Sequence, residues 1–415
     1  MIKVQTIWGN YLSNTIGPSQ TLKRFIRNNQ KFANNNIDFS VLSLDVKFDL
    51  TESGTKSELK KENYLLNLIK KIQKFRIINY LSRNTIFFAF ISFYFKYLRH
   101  SISIFRKWKA LNDSSADIIV FHDPITYYVF KKTLIKQKLK VVLFHHGDDL
   151  EQNMFYDYYP VLQKIFWIKK NINKFTLNSL LALDTVVFIN PISYHNAKIK
   201  YVSLSDKFRL VQNGIDDLNP NNIIKRNYED GYKIVTTGTL NERKNQLLIL
   251  QALKEAIPKL KYKVKVIIVG DGPLLKKLID YSNSNNLNQY VEFVGNQKNV
   301  SPFLLNANIF MLSSNKEGLP LAVVEALSFE LPIISSNIAG IGACVVDAKN
   351  GILYPPKNKK ALANLFCSLD KHDWQHYGSN SRKLFKTKFQ FSQMQDSYIN
   401  LISELYCNNT NSSKQ

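Results

Sequence analysis

Short runs of β-branched and aromatic residues alternate along the whole chain with longer stretches in which apolar residues recur every three to four positions. That alternation leaves few folds open. A strand that is apolar on both faces must be covered on both faces, and a helix that returns the chain to the same edge of a sheet makes the next strand parallel. In the first half the strand candidates are Ile2–Trp8, Phe39–Leu44, Asp117–His122, Val141–His145 and Thr185–Ile189. In the second half they are Lys233–Thr237, Val264–Val269, Val291–Val294, Ile309–Leu312 and Pro332–Ser335. Helical periodicity fills the gaps, over Gly17–Asn34, twice within 57–110, and over about 243–257, 273–285, 300–306 and 320–329. The expectation is an α/β protein with parallel sheets.

A chain of 415 residues exceeds one ordinary domain of roughly 100–200 residues. The segment 213–231 (NGIDDLNPNNIIKRNYEDG) is dense in Asn, Asp, Gly and Pro and has no sustained period, as a linker would. The expected division is a Rossmann-like domain over 1–212 and a second over 213–389. A C-terminal helix over about 390–407 is expected to pack back on the first, with a disordered tail over 408–415 (NNTNSSKQ).

Hydrophobic residues make up 45% of the chain, which excludes a disordered protein. The three cysteines, Cys344, Cys367 and Cys407, are too few and scattered for a disulfide framework or a zinc site, and they suit a reducing cytosol. The N-terminus reads as a first strand and lacks the features of a signal peptide. The most apolar run, Ile86–Phe95, is bounded by Arg83 and Lys96. It falls well short of the ~20 residues that cross a bilayer. The net charge is +24, which attracts polyanions. Part of it matches the Lys- and Asn-rich composition of AT-rich genes. The part that carries information is uneven: 56–110 holds thirteen Lys or Arg against two Glu, interleaved with aromatics.

Three constellations carry chemistry. In GTLNERKNQLLILQAL (238–253) a strand ends at Gly238, Asn241 is placed to cap a helix, and Arg243 and Lys244 fall in its first turn. Two cations beside the positive end of a helix dipole suit a docked phosphate; a solvated surface pair fits equally well. In VIIVGDGP (266–273) Gly270 and Gly272 allow a sharp turn and a close backbone approach, with Pro273 suited to the first helical position. In SSNKEGLPLAVVEALSFELPIISS (313–336) seven residues separate Glu317 from Glu325. Gly318 frees the backbone amides after Glu317, and Leu319, Ala322, Val323 and Ala326 form the apolar stripe of a short helix. Glu325 lies beside that stripe, where a carboxylate needs hydrogen-bond partners such as two ribose hydroxyls or a lysine.

The ordered series NGID, G-x-L-x-x-x-K, GDGP, E-G-x-P-x-x-x-x-E-A, LPIISSNIAG and NGILYPP resembles family 4 of the retaining glycosyltransferases, closely over 213–356 and loosely before that. The resemblance implies the GT-B fold, two Rossmann-like domains facing across a cleft, with the donor nucleotide sugar on the C-terminal one. It implies that Lys244 holds the donor diphosphate and Glu325 the ribose. It implies that Glu317, with the amides of Gly318 and Leu319, binds the transferred sugar and phosphate, and that Asn213 and Gly214 shape the hinge wall. The family's usual arginine after the first glycine is absent: Thr239 stands there, and Arg243 is the candidate to replace it. In the N-terminal half, Gly17 resembles the glycine loop that faces donor phosphates or acceptor. His146 in VVLFHHGDD matches a histidine that supports the transferred sugar, with His145 as the fallback.

The implied reaction is transfer of a sugar from a nucleotide sugar to a glycan, with retention, in cell-surface polysaccharide synthesis such as capsule, O-antigen or lipopolysaccharide core. A GT-B-fold epimerase or hydrolase that needs no acceptor is the nearest alternative. No Asp-x-Asp occurs, so metal-independent catalysis with no cofactor is expected. The basic-aromatic stretches 57–110 and Lys164–Phe175 suit an anionic membrane surface and a lipid-linked acceptor on its cytoplasmic side, although a core-facing helix pair with a solvated basic face has the same pattern. A Rossmann oxidoreductase would need G-x-G-x-x-G after a strand, and Trp8-Gly9-Asn10-Tyr11-Leu12 fails that test. No nucleic-acid motif accompanies the charge, so nucleic acid is not an expected partner.

Overall fold

The computed structural model describes residues 1–10, 17–44, 47–48, 85–111, 115–134, 139–146, 159–219 and 226–412. The chain divides into two compact units. The first comprises Met1–Ile189, Ser193–Val211 and Gln395–Gln415; the second comprises Asn190–Ile192 and Gln212–Met394.

The first unit holds β1 (Ile2–Ile7), β2 (Ile37–Leu42), β3 (Lys47–Phe48), β4 (Ile118–Phe121), β5 (Lys140–His145), β6 (Thr185–Phe188) and β7 (Phe208–Leu210) in one sheet of order β3-β2-β1-β4-β5-β6-β7. Every pairing is parallel except β2 with the two-residue β3. The runs IIVF of β4 and TVVF of β6 are buried at every position, the signature of strands covered on both faces. The short edge pieces β3 and β7 have too little pattern to register in sequence. The helix expected over Gly17–Asn34 is broken into Gly17–Arg27 and Gln30–Ala33. Asn28 turns its amide back onto the Arg24 carbonyl at 3.0 Å and competes for the helical acceptor. Of the basic-aromatic stretch, 57–84 lies outside the described residues. The remainder is one continuous helical segment, Ile86–Phe93, a π turn at Tyr94–Leu98, and Arg99–Leu111.

The last helix, Phe391–Ser412, runs past residue 408, where a disordered tail was expected. Once nucleated, a helix extends at one hydrogen bond per residue even through Asn and Ser. Its Tyr398 is 1% exposed and sits among Phe25, Phe39 and Phe144 of the first unit, with ring centroids 4.8, 6.1 and 5.2 Å away.

The second unit is a six-stranded, wholly parallel sheet of β8 (Tyr232–Thr237), β9 (Val264–Val269), β10 (Val291–Gly295), β11 (Ile309–Leu312), β12 (Ile333–Ser336) and β13 (Gly351–Tyr354) in the order β10-β9-β8-β11-β12-β13. The edge strand β13 went unrecognised in sequence. Ile249, Leu253, Val266, Ile268, Leu278 and Met311 form its core beneath the helices. Two helices start later than their sequence signals imply, Gln246–Ala256 and Leu275–Ser284.

Both sheets reverse direction at their centre. In the first the chain winds outward from β1, then returns to add β4 on the other side; in the second β8 and β11 play the same parts. In open α/β sheets the crevice outside the carboxyl ends of the strands at such a reversal is where ligands bind.

Candidate functional site

The second unit places its charged residues at that reversal. β8 ends at Thr237 and leads into Gly238–Lys244; β11 ends at Leu312 and leads into Ser313–Glu317. Hydrogen bonds stitch the two loops together. The Ser313 hydroxyl donates to the carbonyls of Lys244 and Asn245 at 3.0 and 2.9 Å, and Asn315 N donates to the Arg243 carbonyl at 2.7 Å. Arg243 and Lys244 are not in the first turn of a helix, as the sequence suggested. They occupy a separate turn closed by Asn241 Oδ1, which accepts from Lys244 N at 2.9 Å. Asn245 at φ 51° then starts the helix at Gln246. A left-handed conformation is tolerated by Asn better than by most other residues, and it separates the turn that carries the two cations from the helix.

Glu317 receives both of them. Lys244 Nζ lies 2.7 Å from Oε1 and Arg243 Nη1 lies 2.7 Å from Oε2, while the Ser314 hydroxyl donates to Oε1 at 2.7 Å. Glu317 is 6% exposed. Burial alone would raise its carboxyl, but the charges of Lys244 and Arg243 and the hydrogen bonds from Lys244 and Ser314 outweigh this and hold it below the usual range. The cluster carries one net positive charge, on side chains of unequal exposure: Lys244 is nearly buried and Arg243 about half exposed.

The glycines support this arrangement. Gly238 adopts φ 130°, a conformation disfavoured for any side chain. A Cβ on Gly270 (φ 151°) would overlap the Gly238 carbonyl, and one on Gly272 would lie 2.5 Å from the Leu240 carbonyl. The close approach these glycines permit is therefore to the loop that carries Lys244. Thr239, where the family pattern has arginine, is exposed. Gly214 is held equally tightly, against the Gln390 backbone, and beside it the buried Asn213 Oδ1 has no hydrogen-bond partner among the described residues.

Glu325 lies half-buried on the helix Leu321–Ser328, whose Val323, Val324, Ala326 and Leu327 are buried. Leu319 is 7% exposed just before the helix, and the Gly318 amide joins it to Glu317. Arg382, which sequence reasoning missed, anchors the far end of this helix. It is 7% exposed, holds Asp217 through two nitrogens at 2.7 Å each, and donates to the Ser328 carbonyl at 2.8 Å. Only its position on the helix Trp374–Lys388, remote in sequence from the motif, hid it.

In the first unit, Gly17 opens the helix Gly17–Arg27, and 11–16 lie outside the described residues. His145 and His146 part company at the end of β5. His145 is 5% exposed with its ring against Phe188, 5.5 Å between centroids. His146 turns the other way and meets His122, which follows β4: Nδ1 of His122 and Nε2 of His146 are 2.8 Å apart. Burial lowers His122 to about 3. His146 is also held well below its usual value, first by desolvation and then by the charge that His122 and His145 would bring. His122 was not singled out in sequence; its signal was the triplet His122-Asp123-Pro124 directly after the apolar run IIVF. Among the described residues, no group of three His, Cys, Asp or Glu side chains is placed to hold a metal ion, and no helix is long and apolar enough to cross a membrane.

Comparison with known proteins bears on this geometry. Residues 220–383 match the family model described as glycosyl transferases group 1. The chain is 31% identical over 326 residues to the uncharacterized glycosyltransferase MJ1059 of Methanocaldococcus jannaschii, covering 70% of this chain and 74% of that one. It is 24% identical over 291 residues to the O-antigen biosynthesis glycosyltransferase WclY of Escherichia coli, covering 68% and 77%. Among solved structures it resembles Alr3699/HepE of Anabaena in complex with UDP, with a TM-score of 0.66 and 13% identity over 97% of this chain and 100% of that one.

Proposed function

Since the chain belongs to the group 1 glycosyltransferases, the family 4 enzymes of GT-B fold, we propose that its Arg243–Glu317–Lys244 cluster is where the diphosphate of a nucleotide-sugar donor binds. The protein is a glycosyltransferase that moves a sugar from a nucleotide sugar to a glycan. The observation that carries the donor reading is the pair of cations fixed at the reversal point of the second sheet by one buried carboxylate. Charge grows on the departing diphosphate, so preorganised cations stabilise the transition state more than the ground state. Lys244 and Arg243 do this without a metal ion. Glu325 binds the ribose hydroxyls, and Glu317 with the amides of Gly318 and Leu319 binds the transferred sugar. His146 donates a hydrogen bond to that sugar, and the configuration at its anomeric carbon is retained. The glycines Gly17, Gly238, Gly270 and Gly272 shape the loops around the donor.

The acceptor is a lipid-linked glycan of a cell-surface polysaccharide, met at the cytoplasmic face of an anionic membrane. An O-antigen glycosyltransferase among the relatives supports this, as does a surface of the first unit. There Ala89, Tyr159, Leu162 and Ile168 form a small buried cluster that unites the helices Ile86–Phe93 and Phe166–Ala182. These helices leave Phe87 69%, Phe166 80% and Trp167 61% exposed, with Lys169, Lys170 and Lys174 exposed nearby. Apolar tips flanked by lysines suit insertion at an anionic lipid surface.

The test is a thermal-shift screen with UDP-, GDP-, ADP- and TDP-sugars, repeated on Lys244→Ala, followed by product analysis with and without glycan acceptor. A donor at 100 times its dissociation constant adds ~2.7 kcal/mol. Stabilisation by one sugar nucleotide that disappears in Lys244→Ala is expected. Undiminished stabilisation in that variant refutes the placement, and full turnover without an acceptor refutes the transferase reaction.

A further inference from the structure

We infer that His122 is a positioning residue that fixes His146 as the tautomer protonated on Nδ1, so that His146 presents a neutral N–H donor of fixed sign. The role given to that donor rests on the reading above, in which His146 contacts the transferred sugar; the tautomer itself does not.

The inference follows from counting protons. The 2.8 Å gap between His122 Nδ1 and His146 Nε2 accommodates one hydrogen. If His146 supplied it, the single proton of neutral His122 would sit on Nε2. That atom is buried and has no hydrogen-bond partner among the described residues. The ring is 4% exposed, stacked on Phe144 at 5.1 Å and met edge-on by Trp8 at 6.4 Å. A buried N–H without an acceptor costs ~1–3 kcal/mol, and orphaned N–H groups are rarer than orphaned acceptors. With the proton on Nδ1 of His122 instead, the atom left in apolar surroundings is a bare lone pair. His122 then donates, His146 Nε2 accepts, and the proton of neutral His146 can only be on Nδ1.

Among the described residues, the neighbouring titratable groups do not disturb this assignment. Asp123 is occupied in capping the helix Pro124–Leu134, its Oδ1 accepting from Thr126 N at 2.7 Å. His145 faces Phe188. Both rings of the pair are held neutral near pH 7, so His146 is not set up as a general acid or base. It is set up to donate one hydrogen bond whose sign is unchanged by pH in the physiological range.

The test combines a spectroscopic and a kinetic measurement on the full chain. With ¹⁵N-labelled histidine, the ring resonances of His146 are assigned by their loss in His146→Ala, and long-range couplings report which nitrogen is protonated. The expected result is Nδ1–H. His122→Asn keeps an N–H donor close to the position of Nδ1 and should preserve that tautomer. His122→Asp puts an acceptor there and should move the His146 proton onto Nε2, with turnover falling about three- to tenfold, the equivalent of one neutral hydrogen bond, and donor KM little changed. Finding Nε2–H in the wild-type chain overturns the proposal, as does a tautomer indifferent to His122→Asp. A tautomer that behaves as stated while turnover is unaffected supports the positioning role and refutes the sugar contact instead. If the Asp variant does not fold, the wild-type tautomer and the Asn variant still decide the matter.

Discussion

Replacing Glu317 with Gln should lower stability and raise affinity for a nucleoside diphosphate at the same time. The carboxylate is 6% exposed and bonded to Lys244 and Arg243, each at 2.7 Å. Removing one partner of a buried ion pair costs ~3–5 kcal/mol, because the other charge is stranded. Lys244 is the stranded charge, with its side chain 11% exposed. Arg243, at 48%, turns to solvent and adds little. The amide keeps the shape and an oxygen for Ser314, which places the loss near the lower bound, ~3 kcal/mol. In a domain of this size that lowers the melting temperature by roughly 6–12 °C. Binding of UDP moves the other way. On the proposed placement, the diphosphate competes with Glu317 for both cations in the wild-type chain and does not in the variant. Releasing even the exposed Arg243 bridge, worth up to ~1 kcal/mol, tightens binding about fivefold. Turnover is expected to fall, because the proposed role of Glu317 in holding the sugar is lost. Calorimetry with UDP and a urea melt measure both effects on one preparation. Weaker UDP binding together with lower stability would refute the reasoning, because it would mean that the carboxylate serves only to keep the loop folded.

Three further outcomes are expected. Because folded His122 titrates at about 3 and the unfolded ring near 6.5, the unfolded state takes up a proton that the native state refuses, so stability falls as pH drops below 6.5 and is flat above; the loss is ~2 kcal/mol from pH 7 to 5, read as urea midpoints, and a His122→Phe chain with the same slope would refute it. Gly270→Ala forces a side chain onto φ 151° and against the Gly238 carbonyl, so a loss of ~2–3 kcal/mol with weakened donor binding is expected, and unchanged donor affinity would show that the two loops are not coupled. Trp8, Trp108 and Trp374 are at most 6% exposed whereas Trp167 is 61% exposed, so a blue shift of fluorescence with anionic vesicles, absent with neutral ones and in Trp167→Phe, is the expected sign of membrane docking; a shift that survives Trp167→Phe refutes the surface.

The residues that were legible before the structure are those whose signal is local. β9 was readable because VKVIIV is bounded by a glycine turn, and the Glu317 to Glu325 spacing because both ends sit on one strand–loop–helix unit. What stayed hidden depends on contacts between distant segments. Arg382 meets Asp217 across 165 positions, and nothing in the helix Trp374–Lys388 marks one arginine as buried. His122 and His146 stand 24 residues apart and become partners only because β4 and β5 are neighbours, with Phe121 paired to Leu143 and each histidine just past the end of its strand. The error over Arg243 and Lys244 has a similar origin. Asn241 does cap, as its type suggests, but it closes a turn, and the helix waits for Asn245 at positive φ.

That displaced helix start changes the physics of the proposed donor site. Cations in a first helical turn would oppose the dipole, and a docked anion would be needed to offset them. In the turn that actually forms, Glu317 already neutralises Lys244 and is itself held ionised by it. The cluster is therefore stable by itself, and on the proposed placement an arriving diphosphate exchanges one counter-ion for another. The affinity expected of such an arrangement is modest in the ground state and grows as charge develops on the leaving group, because Glu317 is bound at fixed charge while the diphosphate gains negative charge. A site built in this way favours turnover over tight donor binding, which is why Glu317→Gln should separate the two.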